Sequence, residues 1–247
     1  MRDDLGAEVS LPDRPRRVVS LVPSLTESVA SAAPDLLVGA TDWCTEPAGL
    51  DVTRVGGSKY PRVADVLALA PDLVLANAEE NRREDVEALR AAGVAVWVTF
   101  PRTVPAALSS LDTMFAVLHM DSPQWIDVAR QAWAAPPGTP VRRAVVPVWR
   151  RPWVWLGADT FATDVLARLG VRNALPGNER YPRMSPAQAL AHGPELAVLP
   201  DEPYRFTADD GPETFAPLPS ALVSGRHLTW YGPSLAEARA VLAEQLG

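Results

Sequence analysis

The chain has 247 residues, 47% hydrophobic and 21% charged, enough for one large or two modest cores and too apolar for a disordered chain. A net charge of -7 excludes the concentrated basic face that phosphate backbones require, so no nucleic-acid partner is expected. One cysteine, Cys44, excludes an internal disulfide and fits a reducing compartment. No apolar run approaches the roughly 20 residues that span a bilayer. Residues 1–15 are acidic and broken by prolines, unlike a basic and then apolar export leader. The expectation is a cytoplasmic monomer that is not membrane-embedded.

Residues 18–22 form an apolar run, expected as the first strand. Ser24-Leu25-Thr26-Glu27 then has capping-box spacing and predicts a helix to about residue 33. A strand is expected at 36–40, followed by a loop with Asp42, Trp43 and Cys44. In the next turn, Gly56-Gly57-Ser58-Lys59-Tyr60-Pro61, glycine and proline forbid regular structure. A helix over 63–70 ends at Pro71, and a strand follows at 73–76. Asn81 with Glu84 reads as a second capping box, and 94–99 as a strand. This βα alternation implies a parallel sheet.

Residues 105–133 carry helical spacing through Leu108, Leu111, Phe115 and Leu118, then Ile126 and Val128 beyond a break near Pro123. Ala134-Ala135-Pro136-Pro137-Gly138 reads as a boundary. Next come a strand at 144–148, a loop at 149–157, a helix at 160–169 and a capping box at Ser185 to Gln188 with Pro186 at its first helical position. A strand at 196–199, loops at 200–206 and 227–232, and a capped helix opening at Ser234-Leu235-Ala236-Glu237 complete the chain. The two halves repeat each other. LALAPDLVLA at 67–76 returns as LAHGPELAVL at 190–199, and each half opens with paired arginines, Arg16-Arg17 and Arg142-Arg143. The predicted fold is α/β, with two Rossmann-like βα lobes (1–103 and 139–247), a helical backbone at 104–138 and a ligand cleft between the lobes.

Ligands of parallel sheets sit at the carboxyl ends of the strands. That rule selects Ser24, Trp43, Ser58, Lys59, Tyr60, Asn77, Glu80 and Asn81 in the first half. In the second it selects Trp149, Arg150, Arg151, Trp153, Glu202, Tyr204, Trp230 and Tyr231. Several aromatics with a few polar groups suit a large, flat, partly polar ligand, and Arg150 and Arg151 suit its acidic substituents. Ser24 and Asn81 read first as helix caps and only then as ligand contacts, Tyr204 also as a packing residue, and either Trp153 or Trp155 as strand core. His119, His192, His227 and Cys44 lack ligand spacing, so no protein-held metal and no intrinsic cofactor is expected. No nucleophile elbow, dinucleotide fingerprint or complete phosphate loop is present, and no catalytic residue is assigned. An enzyme using Glu79-Glu80 and Asp201-Glu202, or a scaffold that has lost its ligand, stand as the alternatives.

The PSLTE turn at 23–27, APDLV at 70–74, EEN at 79–81, DEPYRF at 201–206 and WYG at 230–232 together resemble the helical-backbone metal receptors. These are class III substrate-binding proteins, a group that includes vitamin B12 and iron-siderophore binders. The resemblance covers about residues 14–247 and is nearest to members without an export signal. It implies a non-catalytic receptor whose partner is a small metal chelate: a corrinoid, heme or ferric siderophore. Transporter-coupled members carry one docking glutamate per lobe. Ala64 and Ala187 stand at the matching positions, so the resemblance does not extend to docking on an ABC permease.

Overall fold

Apolar runs become strands and the segments between them helices in a computed structural model that describes residues 1–247 except Gly138, Pro140, Pro176 and Asn178. The chain divides into two compact units. The first comprises Met1–Pro101, Ala107–Ile126 and Tyr231–Pro233; the second comprises Arg102–Ala106, Asp127–Trp230 and Ser234–Gly247. The segment expected as a link is shared between the units, and its expected end at Gly138 lies outside the described residues.

In chain order the first unit holds β1 (Val18–Ser20), α1 (Pro23–Ala30), β2 (Leu37–Ala40), β3 (Thr53–Arg54), α2 (Val63–Ala68), β4 (Leu73–Asn77), α3 (Arg83–Ala91) and β5 (Ala95–Thr99). All five strands are parallel, in the order β3-β2-β1-β4-β5. Strand alternation puts Val19, Val74, Ala76, Val96 and Val98 on one face, in a core with Val66, Val86 and Leu89. Val18, Leu73, Leu75 and Trp97, also fully buried, take the other face. Two covered faces are what a parallel sheet requires. Every residue of α1 is buried. Then come α4 (Val104–Val117) and α5 (Gln124–Ala132), parted around Pro123, with Phe115 edge-on to Trp125 at 6.3 Å.

Two expected caps are displaced. Pro23 takes the first position of α1, where its fixed φ and missing N–H cost nothing, so Val22 precedes the helix and Ser24 lies inside the first turn. Arg82, not Asn81, precedes α3, and it pairs with Asp85 at 2.8 Å.

The second unit holds β6 (Arg142–Val145), β7 (Pro147–Arg150), β8 (Trp153–Trp155), α6 (Phe161–Arg168), β9 (Val171–Asn173), α7 (Pro186–Leu190), β10 (Leu196–Pro200), β11 (Ser220–Val223), α8 (Gly225–Thr229) and α9 (Leu235–Leu246). Its parallel sheet has the order β11-β10-β6-β9, and β7 with β8 forms a separate antiparallel pair. The strand expected at 144–148 therefore breaks at Val146, because Pro147 has no N–H to continue the ladder, and the loop expected at 149–157 is mostly this hairpin. Thr160 caps α6 through the N–H of Thr163, and Ser185 with Gln188 closes a reciprocal capping box on α7. Ser234 precedes α9 without a side-chain cap, since Glu237 faces His227 at 3.2 Å instead. His227 lies in α8 rather than in a loop.

The sequence repeat extends to single hydrogen bonds. β2-β1-β4-β5 of the first unit and β9-β6-β10-β11 of the second share one order. The Arg17 guanidinium donates to the carbonyl of Leu69 at 2.7 Å, and that of Arg143 donates to the carbonyl of His192, also at 2.7 Å. Asp72 accepts from the backbone N–H of Arg17 at 3.0 Å, and Glu195 from that of Arg143 at 2.9 Å. In each unit a cation satisfies carbonyls left over at a helix end, and an acid fixes the start of the central strand.

Candidate functional site

The strands of each sheet are parallel, so their following loops gather on one rim of that sheet. In the first unit Arg54 shapes the loop after β2, donating to the carbonyls of Thr41 at 3.0 Å, Cys44 at 2.8 Å and Leu50 at 3.2 Å. Cys44 is thereby turned inward, within 3.0 Å of the Thr26 hydroxyl and 3.1 Å of that of Thr41, while Trp43 projects with 68% of its surface exposed. Burial pushes the Cys44 thiol pKa up, against the pull of the two threonine hydroxyls. After β3 the chain turns tightly from Gly57 to Tyr60, burying Ser58 and leaving Tyr60 70% exposed. The Arg82 guanidinium lies 4.7 Å from the Tyr60 ring centroid, and the ammonium of exposed Lys59 reaches the Glu79 carbonyl.

Asparagines fasten this rim together. The Asn77 carboxamide oxygen accepts from the N–H groups of Glu79 at 2.7 Å and Glu80 at 3.1 Å, closing the turn that carries both glutamates. Asn81 accepts from the N–H of Asn77 at 2.8 Å and donates to the carbonyls of Leu21 at 3.2 Å and Ser58 at 2.9 Å. It thus joins the ends of β1, β3 and β4, a role that its predicted capping position did not reveal. The WYG segment enters here too. Tyr231 is buried, its hydroxyl 2.6 Å from the Asn77 amide and 2.9 Å from the Thr99 hydroxyl. A Cβ on Gly232 would stand only 2.9 Å from the Ser24 carbonyl oxygen, so glycine is required at that crossing. Ser24 is itself buried, and its hydroxyl has no hydrogen-bond partner among the described residues. Of the eight first-half candidates, Trp43, Lys59 and Tyr60 are exposed, Glu80 is half-buried, and Ser24, Ser58, Asn77 and Asn81 are buried; Tyr231 joins that buried framework.

The second-unit rim is built from aromatics. Trp153 stacks on Trp155 at 5.6 Å and on Phe206 at 6.3 Å, and Phe215 lies edge-on to both indoles. Trp155 is fully buried and donates to the Met184 carbonyl at 2.9 Å, while Trp153 is half-buried within the same cluster. Two apart on β8, the indoles share one face and one cluster, Trp155 fully buried and Trp153 partly exposed. Trp149, 44% exposed, lies edge-on to Tyr204 at 5.8 Å. Arg150 is consumed internally: it pairs with Asp210 and Glu213 and lies 5.5 Å from the Trp153 ring centroid, so the free ligand-facing cation expected there is a structural clamp. Asp210 also accepts from the Tyr204 hydroxyl at 2.6 Å. The Gly211 N–H, and then Arg150, hold the Glu213 pKa down at about 2. Arg151 is exposed on the hairpin turn, Glu202 is half-buried, and half-buried Trp230 ends α8 beneath the Arg226 guanidinium at 5.7 Å.

Four large aromatic side chains are strongly exposed among the described residues: Trp43, Tyr60, Trp149 and Tyr181, the last at 42%. They follow the carboxyl ends of β2, β3, β6 and β9. Sequence reasoning missed Tyr181 because β9, only three residues long, was not foreseen. Among the described residues no three His, Cys, Asp or Glu side chains converge to hold a metal ion, and no helix is long and apolar enough to cross a membrane. Glu79 and Glu80 lie on the first-unit rim, while Asp201 accepts from the Gly225 N–H at 2.6 Å.

No protein-family model matches the chain. A vitamin B12-binding protein of Yersinia pestis (strain Pestoides F) is 24% identical over 195 residues, 74% of this chain and 69% of that protein. Among solved structures, the periplasmic heme-binding protein BhuT in complex with two hemes superposes with a TM-score of 0.76 and 22% identity, covering 93% of this chain and 97% of that one. The periplasmic vitamin B12-binding protein BtuF of Vibrio cholerae superposes with a TM-score of 0.74 and 19% identity, covering 95% and 98% respectively.

Proposed function

We propose, from the premise that the chain has the class III periplasmic-binding-protein fold of the helical-backbone metal receptors, that it binds a metal chelate without transforming it. The observation that carries this reading is the placement of Trp43, Tyr60, Trp149 and Tyr181. Single exposed aromatics are ordinary, but here all four strongly exposed ones among the described residues follow strand ends, where ligands of parallel sheets bind. Flat, partly polar chelates such as corrinoids, hemes and ferric siderophores match such faces. The hydrogen bonds of Asn77, Asn81 and Arg54 hold the first-unit rim in shape before any ligand arrives, which lowers the entropic cost of binding.

Titration with hemin, cyanocobalamin and a ferric siderophore tests the proposal. At least one is expected to quench tryptophan emission at micromolar concentration, and Trp43→Ala to weaken its binding by about 1–3 kcal/mol. No quenching by any of the three, or a Trp43→Ala variant that binds like the parent, overturns it.

The same reading has the protein working apart from an ABC permease. Ala64 and Ala187 are exposed at matched second positions of α2 and α7, and each presents a methyl where a charge-assisted contact needs a carboxylate. Stimulation of a reconstituted chelate permease's ATPase by this protein would count against that point alone.

A further inference from the structure

The stretch that carries Tyr181 lies along the end of β8. Its carbonyls accept from that strand and its continuation: Pro182 from the N–H of Trp155 at 3.0 Å, Arg180 from that of Gly157 at 2.8 Å and Glu179 from that of Ala158 at 3.0 Å. Arg183 extends the pairing through an antiparallel bridge to Val154. The approach is so close that residue 157 has to be glycine, since a Cβ there would run into the Glu179 carbonyl oxygen and stand 2.9 Å from that of Arg180. Gly157 is fixed in turn. Its own carbonyl accepts from the Thr163 hydroxyl of α6 at 2.8 Å and from the Asn173 side chain of β9 at 3.0 Å. Tyr181 thus projects from a ladder whose other side is anchored in regular structure.

Asp159 ends this ladder. Its backbone is left-handed, with φ +56°, a conformation that suits glycine and that other residues adopt at a cost. Here the side chain is used. One carboxylate oxygen of Asp159 accepts from the Arg180 guanidinium at 3.1 Å and from that of Arg102 at 2.8 Å. Arg102 is a firm post, because two residues further on the N–H of Val104 donates to Asp164 of α6 at 2.8 Å. The residue beside Tyr181 is therefore tied to the start of α4, and all of these groups belong to the second unit. Asp159 and Arg102 are 52% and 53% exposed, and ion pairs in that setting add little to the stability of a fold. What this carboxylate limits is the freedom of residues 179–182.

We infer that Asp159 is a positioning residue that holds Tyr181 in place to meet the chelate, an inference that rests on the chelate-binding role proposed above. It acts through Arg180, the chain neighbour of Tyr181. An aromatic ring on a loose loop has to be immobilised when the ligand arrives, at the expense of affinity, whereas a ring already held in place does not.

Asp159→Asn in the full-length chain tests this, since asparagine keeps the size of the side chain and its tolerance for a left-handed backbone and removes the charge. Hydrogen exchange at the Gly157 and Ala158 amides, which close the ladder, should speed up while the thermal melt stays that of the parent. Affinity for whichever of hemin, cyanocobalamin and a ferric siderophore the parent binds should fall about two- to tenfold. The same substitution should add no further loss to Tyr181→Ala, where nothing is left to position. Asp159→Gly relieves the backbone and offers no carboxylate, so it should weaken binding as Asp159→Asn does. Parent-like exchange or affinity in Asp159→Asn, an early melt of that variant, parent-like affinity in Asp159→Gly, or an equal loss with and without the Tyr181 ring overturns this inference and leaves the chelate reading in place. If the parent binds none of the three probes, both fall.

Discussion

The hydroxyl of Tyr231 lies 2.6 Å from the side-chain amide of Asn77, a contact across 154 positions of chain within one compact unit. Thr99 closes the group at 2.9 Å, so the ends of β4 and β5 and the WYG segment share one buried polar knot. Tyr231→Phe removes the oxygen that two partners use. The expected loss is about 1–3 kcal/mol of unfolding free energy, read from urea melts. Burial, reinforced by the charge of Glu80, pushes the Tyr231 pKa far above its ordinary value. The unfolded phenol ionises near pH 10, so the folded state loses ground as pH rises beyond that point. Tyrosinate absorbance should therefore show a late component that coincides with alkaline unfolding and is missing from the Tyr231→Phe variant.

Asn81 makes three hydrogen bonds to backbone groups of three different segments. At roughly 0.5–1.5 kcal/mol for each, Asn81→Ala should cost about 2–4 kcal/mol in chemical denaturation. Asn81→Asp keeps the acceptor for the Asn77 N–H but faces two carbonyls with an anion, so it should be no milder. A variant that melts with the parent would show that the rim is held by other means.

Glu213 titrates at about 2, held down first by the Gly211 N–H and then by Arg150, against roughly 4.3 in an unfolded chain. A depressed acid stabilises the fold above its unfolded pKa, and that stabilisation fades as pH falls toward the folded value. Solvent screening at this exposed carboxylate keeps the effect small. The difference in urea midpoint between the parent and Glu213→Gln should be largest near neutrality and close between pH 4 and pH 2. A constant difference across that range would contradict the assignment.

Cys44 is buried, and burial raises its pKa, so both access and thiolate supply limit its chemistry. Alkylation of the native protein should proceed only through opening of the loop after β2, and become rapid in denaturant. Fast native-state labelling would show that the Arg54-organised loop is open in solution.

Much of this fold is legible in the residues, and the failures have physical causes. β1, β4 and β10 are apolar runs long enough to show as strands, and the repeated P-(D/E)-L segment identifies β4 and β10 as counterparts. β3 is only Thr53-Arg54, and β9 and β11 are three and four residues that mix polar with apolar side chains, so periodicity has too little to act on. Capping boxes failed at Ser24 and Asn81 for different reasons: Pro23 claims the helix start in one case, and tertiary carbonyls claim the carboxamide in the other. On the site, Trp43, Tyr60 and Trp149 are visible as loop aromatics. The role of Arg150 is not, because its acidic partners lie about sixty residues further along and reach it only through the fold.

Residues 231–233 belong to the first unit although most of the second precedes them in the chain. During synthesis, the strands of the first unit are all made more than about 130 residues before the phenol that completes them. At ribosomal speeds of about 5–20 residues per second, Asn77 and Thr99 wait several seconds or more for the Tyr231 hydroxyl, with only their side-chain bonds to one another and to Ala76, Glu79 and Glu80 to hold them. A fragment that ends before Tyr231 never receives that closure. No single break in the chain therefore separates the two units: genetic dissection of the first unit has to supply residues 231–233 from the far end.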